Sequence, residues 1–283
     1  MTILEAIQKS TDFLVKKGVD SPRLQSELLL AHVLRTPRLK LYLDFSRELN
    51  EQHTAEFREA IKRRGNREPL QHIVGSACFC GLEILVSPQV LIPRPETEML
   101  AEEGWKYLNG LGRAATFLDF GTGSGCIAIA LCHFAKVSAG WAIDRSDEAL
   151  TVARENAVKN SVADRITFLQ SDRLAGLDPT LRFDLIISNP PYIPGAEISV
   201  LQEEVRDFDP HLALDGGEDG LEFYRALAAE SHNFMQPSGR LLVEFGHEQE
   251  KSLPGIFAAE GWKVEAILND YTARPRLLKA RRA

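Results

Sequence analysis

No apolar run in the 283-residue chain approaches the ~20 residues that a helix needs to cross a bilayer, so no membrane-spanning helix is expected. The opening stretch, MTILEAIQKSTDFLVKKG, has neither the unbroken apolar core nor the small-residue cleavage site of a secretion signal. A cytoplasmic protein with no membrane partner is the expectation. Cysteine is scarce: Cys78, Cys80, Cys126 and Cys132 have none of the spacings of a zinc site, and the histidines are scattered, so no metal is expected. Small buried thiols in a reducing compartment account for all four.

Also missing is a basic region large enough to grip nucleic acid. The formal charge of −7 divides into +3 over residues 1–75 and −10 over the remainder. Phosphate backbones are held by clustered Lys and Arg, so direct nucleic-acid binding is not expected of the acidic part. The mild positive charge of the first part suits partner recognition, and a solvated helix surface explains it as well.

What is present is a globular composition, 44% hydrophobic and 26% charged, in a chain longer than one core usually organises. Residues 1–75 read as helices only. Thr2 and Glu5 make a capping box for a helix whose Leu4, Ile7, Leu14 and Val15 fall near one face. Ser21 is the expected N-cap of a second helix with Pro22 in its first turn, and Asn50 begins a third that ends at Gly65. Residues 76–95 change to short β-type runs broken by Gly81, Pro88, Pro93 and Pro95, which predicts a hairpin linking two domains. Pro95, with Glu96 and Glu98 behind it, predicts a helix start.

From Thr116 strands and helices alternate. TFLDF, VSAGWAID, ITFLQSD, FDLIIS, GRLLVEFG, WKVEAIL and RPRLLKA read as strands; the helices expected between them are CIAIALCHFA, Asp147 to Asn160, one beginning near Glu218, and EQEKSLPGIFAAEG. This is an α/β pattern with a mostly parallel, doubly wound sheet in residues 96–283. Its ligands are expected beyond the carboxyl ends of the strands.

Two features at those ends carry chemistry. LDFGTGSG places Asp119 at a strand end and Gly121, Gly123 and Gly125 in the turn that follows, where missing Cβ atoms let a ligand lie against the backbone. No Lys follows, which excludes a P-loop. Asp144, at the next strand end, can accept both hydroxyls of a ribose, and Asp172 can accept from an adenine amino group. Glycines and two carboxylates with little provision for phosphate fit S-adenosylmethionine better than NAD.

The second feature is SNPPYIPG, residues 188–195. Pro190 and Pro191 have no N–H to donate, and Asn189 before a proline is held extended. Asn189 Oδ1 and the Pro190 carbonyl can therefore accept both N–H bonds of one planar NH2 group, with Tyr192 packing on the flat group that carries it. Such a grip would orient a poorly nucleophilic nitrogen, whether amide or aromatic, toward an electrophilic methyl group.

With these motifs the chain resembles the class I S-adenosylmethionine-dependent methyltransferases. More specifically it resembles the release factor glutamine methyltransferases of the HemK/PrmC type. EPLQHIVG (68–75), FCGLEILVSPQVLIPRPETE (79–98), DFGTGSG (119–125), NPPYIP (189–194), ALDGGEDGLEFYRAL (213–227) and the terminal ND…RPR fall in the family's order. The resemblance implies a seven-stranded Rossmann-like sheet and a helical substrate-recognition domain at 1–75. It implies methylation of the side-chain amide nitrogen of the glutamine in the GGQ motif of bacterial class 1 peptide chain release factors. S-adenosylmethionine would be consumed to S-adenosylhomocysteine by a monomer. Carried over residue by residue, Gly121, Thr122, Gly123, Ser124 and Gly125 hold the methionine part, Asp144 the ribose, and Asp172 with Arg173 the adenine, and Asp119 is also expected to bind the cofactor. Asn189, Pro190, Pro191 and Tyr192 bind the glutamine, and Asn189 also borders the cofactor. Arg173 stands where some members have an aromatic residue, so a cation-type contact replaces stacking there. Asp209 in DFDP (207–210) departs from the commoner acidic form. The long segment 193–217 is expected to wall the substrate site, and RPETE (94–98) either starts a helix or borders the pocket mouth. A ribosomal-protein glutamine methyltransferase would share these pockets, and an adenine-N6 nucleic-acid methyltransferase would share NPPY.

Overall fold

The computed structural model describes residues 1–135 and 138–283; Val137, the expected start of the second strand, lies outside the described residues. The chain divides into two compact units, Met1–Ser76 with Gln202–Phe208, and Ala77–Leu201 with Asp209–Ala283.

The helical unit begins with α1 (Ile3–Lys16), closed by the Thr2–Glu5 capping box: Glu5 N–H donates to Thr2 Oγ1 at 3.2 Å and Thr2 N–H to the Glu5 carboxylate at 3.0 Å. Its buried stripe is Ile3, Ala6, Ile7 and Leu14. Val15, expected on that face, is 58% exposed, because one helical residue past Leu14 turns its side chain ~100° away. α2 (Pro22–Val33) starts after Ser21 as expected, but Ser21 is left-handed at φ 48° and its side chain caps nothing. α3 (Arg38–Leu41) and α5 (Leu70–Val74), on either side of α4 (Glu51–Gly65), were not legible, being too short to show a helical period. Asn50 caps α4, accepting from His53 N–H at 2.7 Å. Leu14, Leu29, Leu30, Leu41 and Phe57 form the core of this unit.

In the second unit β1 (Ser76–Phe79) and β2 (Leu82–Leu85) form the expected hairpin. Cys80 and Gly81 at its tip both have positive φ, 51° and 77°, as a two-residue primed turn requires. Then follow α6 (Pro95–Gly110), β3 (Ala115–Phe120), α7 (Cys126–Phe134), β4 (Ser138–Asp144), α8 (Asp147–Lys159), β5 (Ile166–Gln170) and β6 (Phe183–Ser188). After β6 the chain passes through α9 (Glu203–Arg206), which clusters with the helical unit, and returns as α10 (Glu222–Ser231), β7 (Met235–Glu244), α11 (Leu253–Ala259), β8 (Trp262–Asn269) and β9 (Pro275–Arg282). The sheet order is β5-β4-β3-β6-β7-β9-β8. β3 to β7 run parallel, and β9, antiparallel to both β7 and β8, runs opposite to the rest of the sheet.

Strands in the middle of such a sheet are covered on both faces, so successive residues enter opposite cores. Phe117, Leu185, Ile187 and Leu242 belong to the core with α6 and α7, whereas Leu118, Ile186, Leu241 and Val243 belong to the core with α10 and α11. Several expected boundaries move. β5 stops at Gln170, leaving Asp172 in the loop beyond it, and α10 starts at Glu222 rather than near Glu218 because Gly220 is left-handed. β7 begins four residues before Gly239, at Met235. The helix expected over EQEKSLPGIFAAEG is a 3-10 turn, Gln249–Lys251, followed by α11, with Pro254 near its start. Among the described residues no helix is long and apolar enough to cross a membrane.

Candidate active site

The strand order reverses beside β3, and a cavity of about 1050 Å³ opens beyond the carboxyl ends of β3, β4, β5 and β6. Its wall takes Gly121 and Gly123 from the turn after β3, Asp144 from the end of β4, Asp172 and Arg173 from the loop after β5, and Asn189 and Pro191 from the end of β6. These are the strand ends at which doubly wound sheets bind ligands.

The glycine turn is pinned from below. Gly121 and Thr122 donate their N–H groups to the Ile143 carbonyl at 3.0 and 2.9 Å. Gly121 and Gly123 have φ of 72° and 53°, and a Cβ at either would meet nothing within 4 Å. The turn thus presents bare backbone to the cavity. Gly125 instead faces α8, where a Cβ would come within 3.1 Å of the Ala153 Cβ. Asp144 Oδ2 accepts from Gly123 N–H at 2.8 Å and Oδ1 from Ser146 N–H at 3.0 Å. Each oxygen retains a lone pair for a ligand hydroxyl, and burial raises the carboxyl pKa.

Asp119, Thr122 and Ser124 are placed differently. All three are buried and none lines the cavity. Asp119 Oδ2 accepts from the Thr122 hydroxyl at 2.6 Å and Ala128 N–H at 3.2 Å, while its Oδ1 is buried without a partner among the described residues. Burial pushes the Asp119 carboxyl up to about 7. A raised folded pKa gives stability that is present below the unfolded value of 3.8 and lost as pH rises through about 7. The ligand-free protein is therefore expected to melt at higher temperature at pH 5 than at pH 8. Asp119→Asn should shrink that difference, which is on the order of a few kcal/mol; a scan of Tm against pH for both proteins checks it.

Asp172 is exposed on the cavity wall. Arg173, expected to offer its charge to an adenine, is left-handed at φ 57° and its guanidinium already donates to Glu222 Oε1 at 2.7 Å, with Glu230 at 3.9 Å. These contacts hold the guanidinium against α10 at the cavity wall.

At the end of β6, Ser188 donates to the Phe120 carbonyl at 2.7 Å, fixing the strand end beside the glycine turn. Asn189 reaches the cavity. Its Nδ2 donates to Thr97 Oγ1 at 3.0 Å, and the Thr97 hydroxyl donates to Glu244 Oε2 at 2.7 Å. Among the described residues none donates to Asn189 Oδ1. Pro190 is buried behind the wall and Pro191 is on it. The Tyr192 carbonyl accepts from Gln249 Nε2 at 3.0 Å, and burial pushes the Tyr192 phenol up to about 12, so it stays neutral.

RPETE starts a helix, and none of its residues lines the cavity. Pro95 starts α6 with Glu96 and Glu98 in its first turn. Arg94 pairs with buried Asp209 at 2.5 Å, and Glu98 Oε1 accepts from Cys80 N–H at 2.8 Å at the hairpin tip. The segment after NPPY closes on itself through Gly216 N–H to the Ile193 carbonyl at 2.8 Å and Gly195 N–H to the Gly217 carbonyl at 3.0 Å. Pro210, Leu212 and Ala213 from this segment line the cavity.

Sequence reasoning missed three supporting residues. Thr97 and Glu244 are each 2% exposed; the signal for Glu244 was a carboxylate inside the apolar run LLVEF. Asn156 of α8 is fully buried, donating to the carbonyls of Leu85 at 2.9 Å and Ser124 at 3.0 Å. It ties β2 to the glycine turn.

Comparison with known proteins agrees with this geometry. Residues 5–75 match the PrmC N-terminal domain and residues 106–218 the methyltransferase small domain. The chain is 41% identical to the release factor glutamine methyltransferase of Geobacter sulfurreducens, over 92% of this chain and 90% of that one. It is 39% identical to that of Moorella thermoacetica, over 100% and 99%. Among solved structures, the N-terminal domain of human METTL16 in complex with SAH shares the fold, with a TM-score of 0.52 at 17% identity, covering 71% of this chain and 76% of that one. A cavity at the switch point of a seven-stranded sheet, Asn189 and Pro191 of NPPY on its wall and these relatives over nearly the whole length agree: the chain belongs to the release factor glutamine methyltransferase family.

Proposed function

We propose that the protein methylates the side-chain amide nitrogen (N5) of the glutamine in the GGQ motif of class 1 peptide chain release factors, using S-adenosylmethionine. The observation that carries this reading is Asn189: it lines the cavity with its Nδ2 held by Thr97, and among the described residues none donates to its Oδ1.

The residues present fit the cofactor. Gly121 and Gly123 offer bare backbone to its methionine part, and the unpartnered buried Asp119 Oδ1 lies under the same turn. Asp144 keeps lone pairs for the ribose hydroxyls, and Asp172 with the Arg173 loop borders the adenine side. When bound, S-adenosylmethionine supplies an electrophilic methyl group on a sulfonium and is left as S-adenosylhomocysteine.

The protein's part is to make an amide nitrogen competent. That nitrogen is a poor nucleophile because its lone pair is delocalised into the carbonyl. Asn189 Oδ1 accepts one of its N–H bonds and turns the lone pair outward; Pro190 does not line the cavity, so the second N–H is not assigned to its carbonyl. This hydrogen bond strengthens as positive charge develops on nitrogen, so it favours the transition state over the ground state. Tyr192 remains neutral; its ring lies against Gly246 and the core with α10 and α11, and it does not line the cavity. The helical unit holds the factor; the enzyme acts as a monomer in the cytoplasm, without touching nucleic acid directly.

Incubating the purified protein with S-adenosylmethionine and a recombinant release factor should add one methyl group to the GGQ peptide, read by mass spectrometry. A factor carrying GGA should stay unmodified. Methylated adenine in nucleic acid, with no added mass on the glutamine peptide, would overturn the reading.

A further inference from the structure

The two ends of an asparagine amide have nearly the same shape, so packing alone does not decide whether Oδ1 or Nδ2 faces a substrate. Hydrogen-bond polarity does. Here the decision is traceable to two residues that do not line the cavity. Glu244, at the end of β7, is an acceptor when ionised. Thr97, in the first turn of α6, has one hydroxyl proton and gives it to Glu244 Oε2 at 2.7 Å. The Thr97 oxygen can then only accept, and it accepts from Asn189 Nδ2 at 3.0 Å.

We propose that Thr97 and Glu244 are positioning residues that lock the Asn189 amide with its carbonyl oxygen, not its NH2 group, toward the substrate amide. The inference rests on the glutamine-methylating reading of the site. Both residues are 2% exposed, so water does not compete for their hydrogen bonds. A reversed amide would place two donors against the two donors of the glutamine, and the grip would become a repulsion.

The chain of bonds has a second setting. A protonated Glu244 becomes a donor to Thr97, whose hydroxyl is then free to donate to Asn189 Oδ1, turning the amide over. Burial pushes the Glu244 carboxyl up to about 7. The Thr97 hydroxyl favours its ionised form, as do Arg276 of β9 and Arg94 before α6, while Glu96 of α6 opposes it. Tyr192, in the segment after β6, faces Glu244 as a neutral phenol, and Tyr224 of α10 donates to the Glu244 main-chain carbonyl at 2.9 Å. Ionised Glu244 is the productive form, so kcat should fall as pH drops through this range.

Thr97→Val keeps the shape and removes the hydroxyl. With release factor as substrate, kcat is expected to fall roughly 30-fold, while KM for the factor and the Kd for S-adenosylmethionine change less than about threefold. Thr97→Ser restores the hydroxyl and should recover most of kcat. In Glu244→Gln, the acid limb of the kcat–pH profile should disappear whatever activity remains. Wild-type kcat in Thr97→Val overturns the proposal. So does a parallel loss of Tm, cofactor binding and activity that Ser does not rescue, or an unchanged acid limb in Glu244→Gln. If the unmutated protein leaves the GGQ glutamine unmodified, it is the function reading that fails, before either variant is tested.

Discussion

Replacing Asn189 by alanine is expected to lower kcat for release-factor methylation by roughly 10³-fold, the upper part of the range for losing one oriented partner of a transition-state charge. The Kd for S-adenosylmethionine, measured by calorimetry, should stay within about threefold. The split follows from position. The glycine turn and Asp144 are held by Ile143 and Ser146, and among the described residues none of these bonds involves Asn189. Thr97 keeps its bond to Glu244 when Asn189 is shortened, so little of the surroundings should rearrange. A large loss of cofactor affinity in this variant would mean that Asn189 serves the cofactor first.

The second large effect concerns Gly220. At φ 73° it lies against the NPPY segment, and a Cβ there would come within 2.4 Å of the Tyr192 carbonyl oxygen. That carbonyl cannot move freely, because Gln249 Nε2 bonds both it and the Gly220 carbonyl at 3.0 Å. Gly220→Ala should combine a left-handed residue, about 1–2 kcal/mol, with overpacking of about 1–3 kcal/mol. The expected fall in Tm is roughly 10 °C. Gly81 is the control: its φ is 77°, yet a Cβ there meets nothing within 4 Å. Gly81→Ala should cost only the backbone part, roughly 2–4 °C. Equal shifts in the two variants would show that contact with Tyr192 carries no energy.

The parts of the site legible in the sequence were those where residue type and local spacing carry the physics. A glycine turn after a strand, an aspartate at the next strand end, and prolines that withhold donors can each be read without knowing the fold. The seven-stranded sheet was legible for a similar reason, since alternating helical and strand periods leave few topologies. What was not legible depends on residues distant in sequence. Thr97 meets Glu244 across 147 positions, and a threonine in a helix's first turn looks like an ordinary helix former. Arg94 meets Asp209 across 115 positions, so the sequence could only register Asp209 as a departure. The ion pairs of Arg173 were not legible, because its partners, Glu222 and Glu230, lie on α10. Asp119 was placed among ligand contacts by its motif, yet it sits beneath the turn, where burial rather than ligand sets its chemistry.

Seven residues between NPPY and α10, Gln202–Phe208, cluster with the helical unit. There Glu204 accepts from Arg64 at 2.9 Å and from Arg67 at 2.7 Å. The backbone therefore changes units three times, after Ser76, after Leu201 and after Phe208. One cut does not separate them. A fragment ending at residue 76 would leave Arg64, 4% exposed, without its carboxylate. The complementary fragment would carry a stray acidic turn in place of a docked one. Exchanging the helical unit between relatives thus calls for a graft of two pieces, the first 76 residues together with the short insert that closes them.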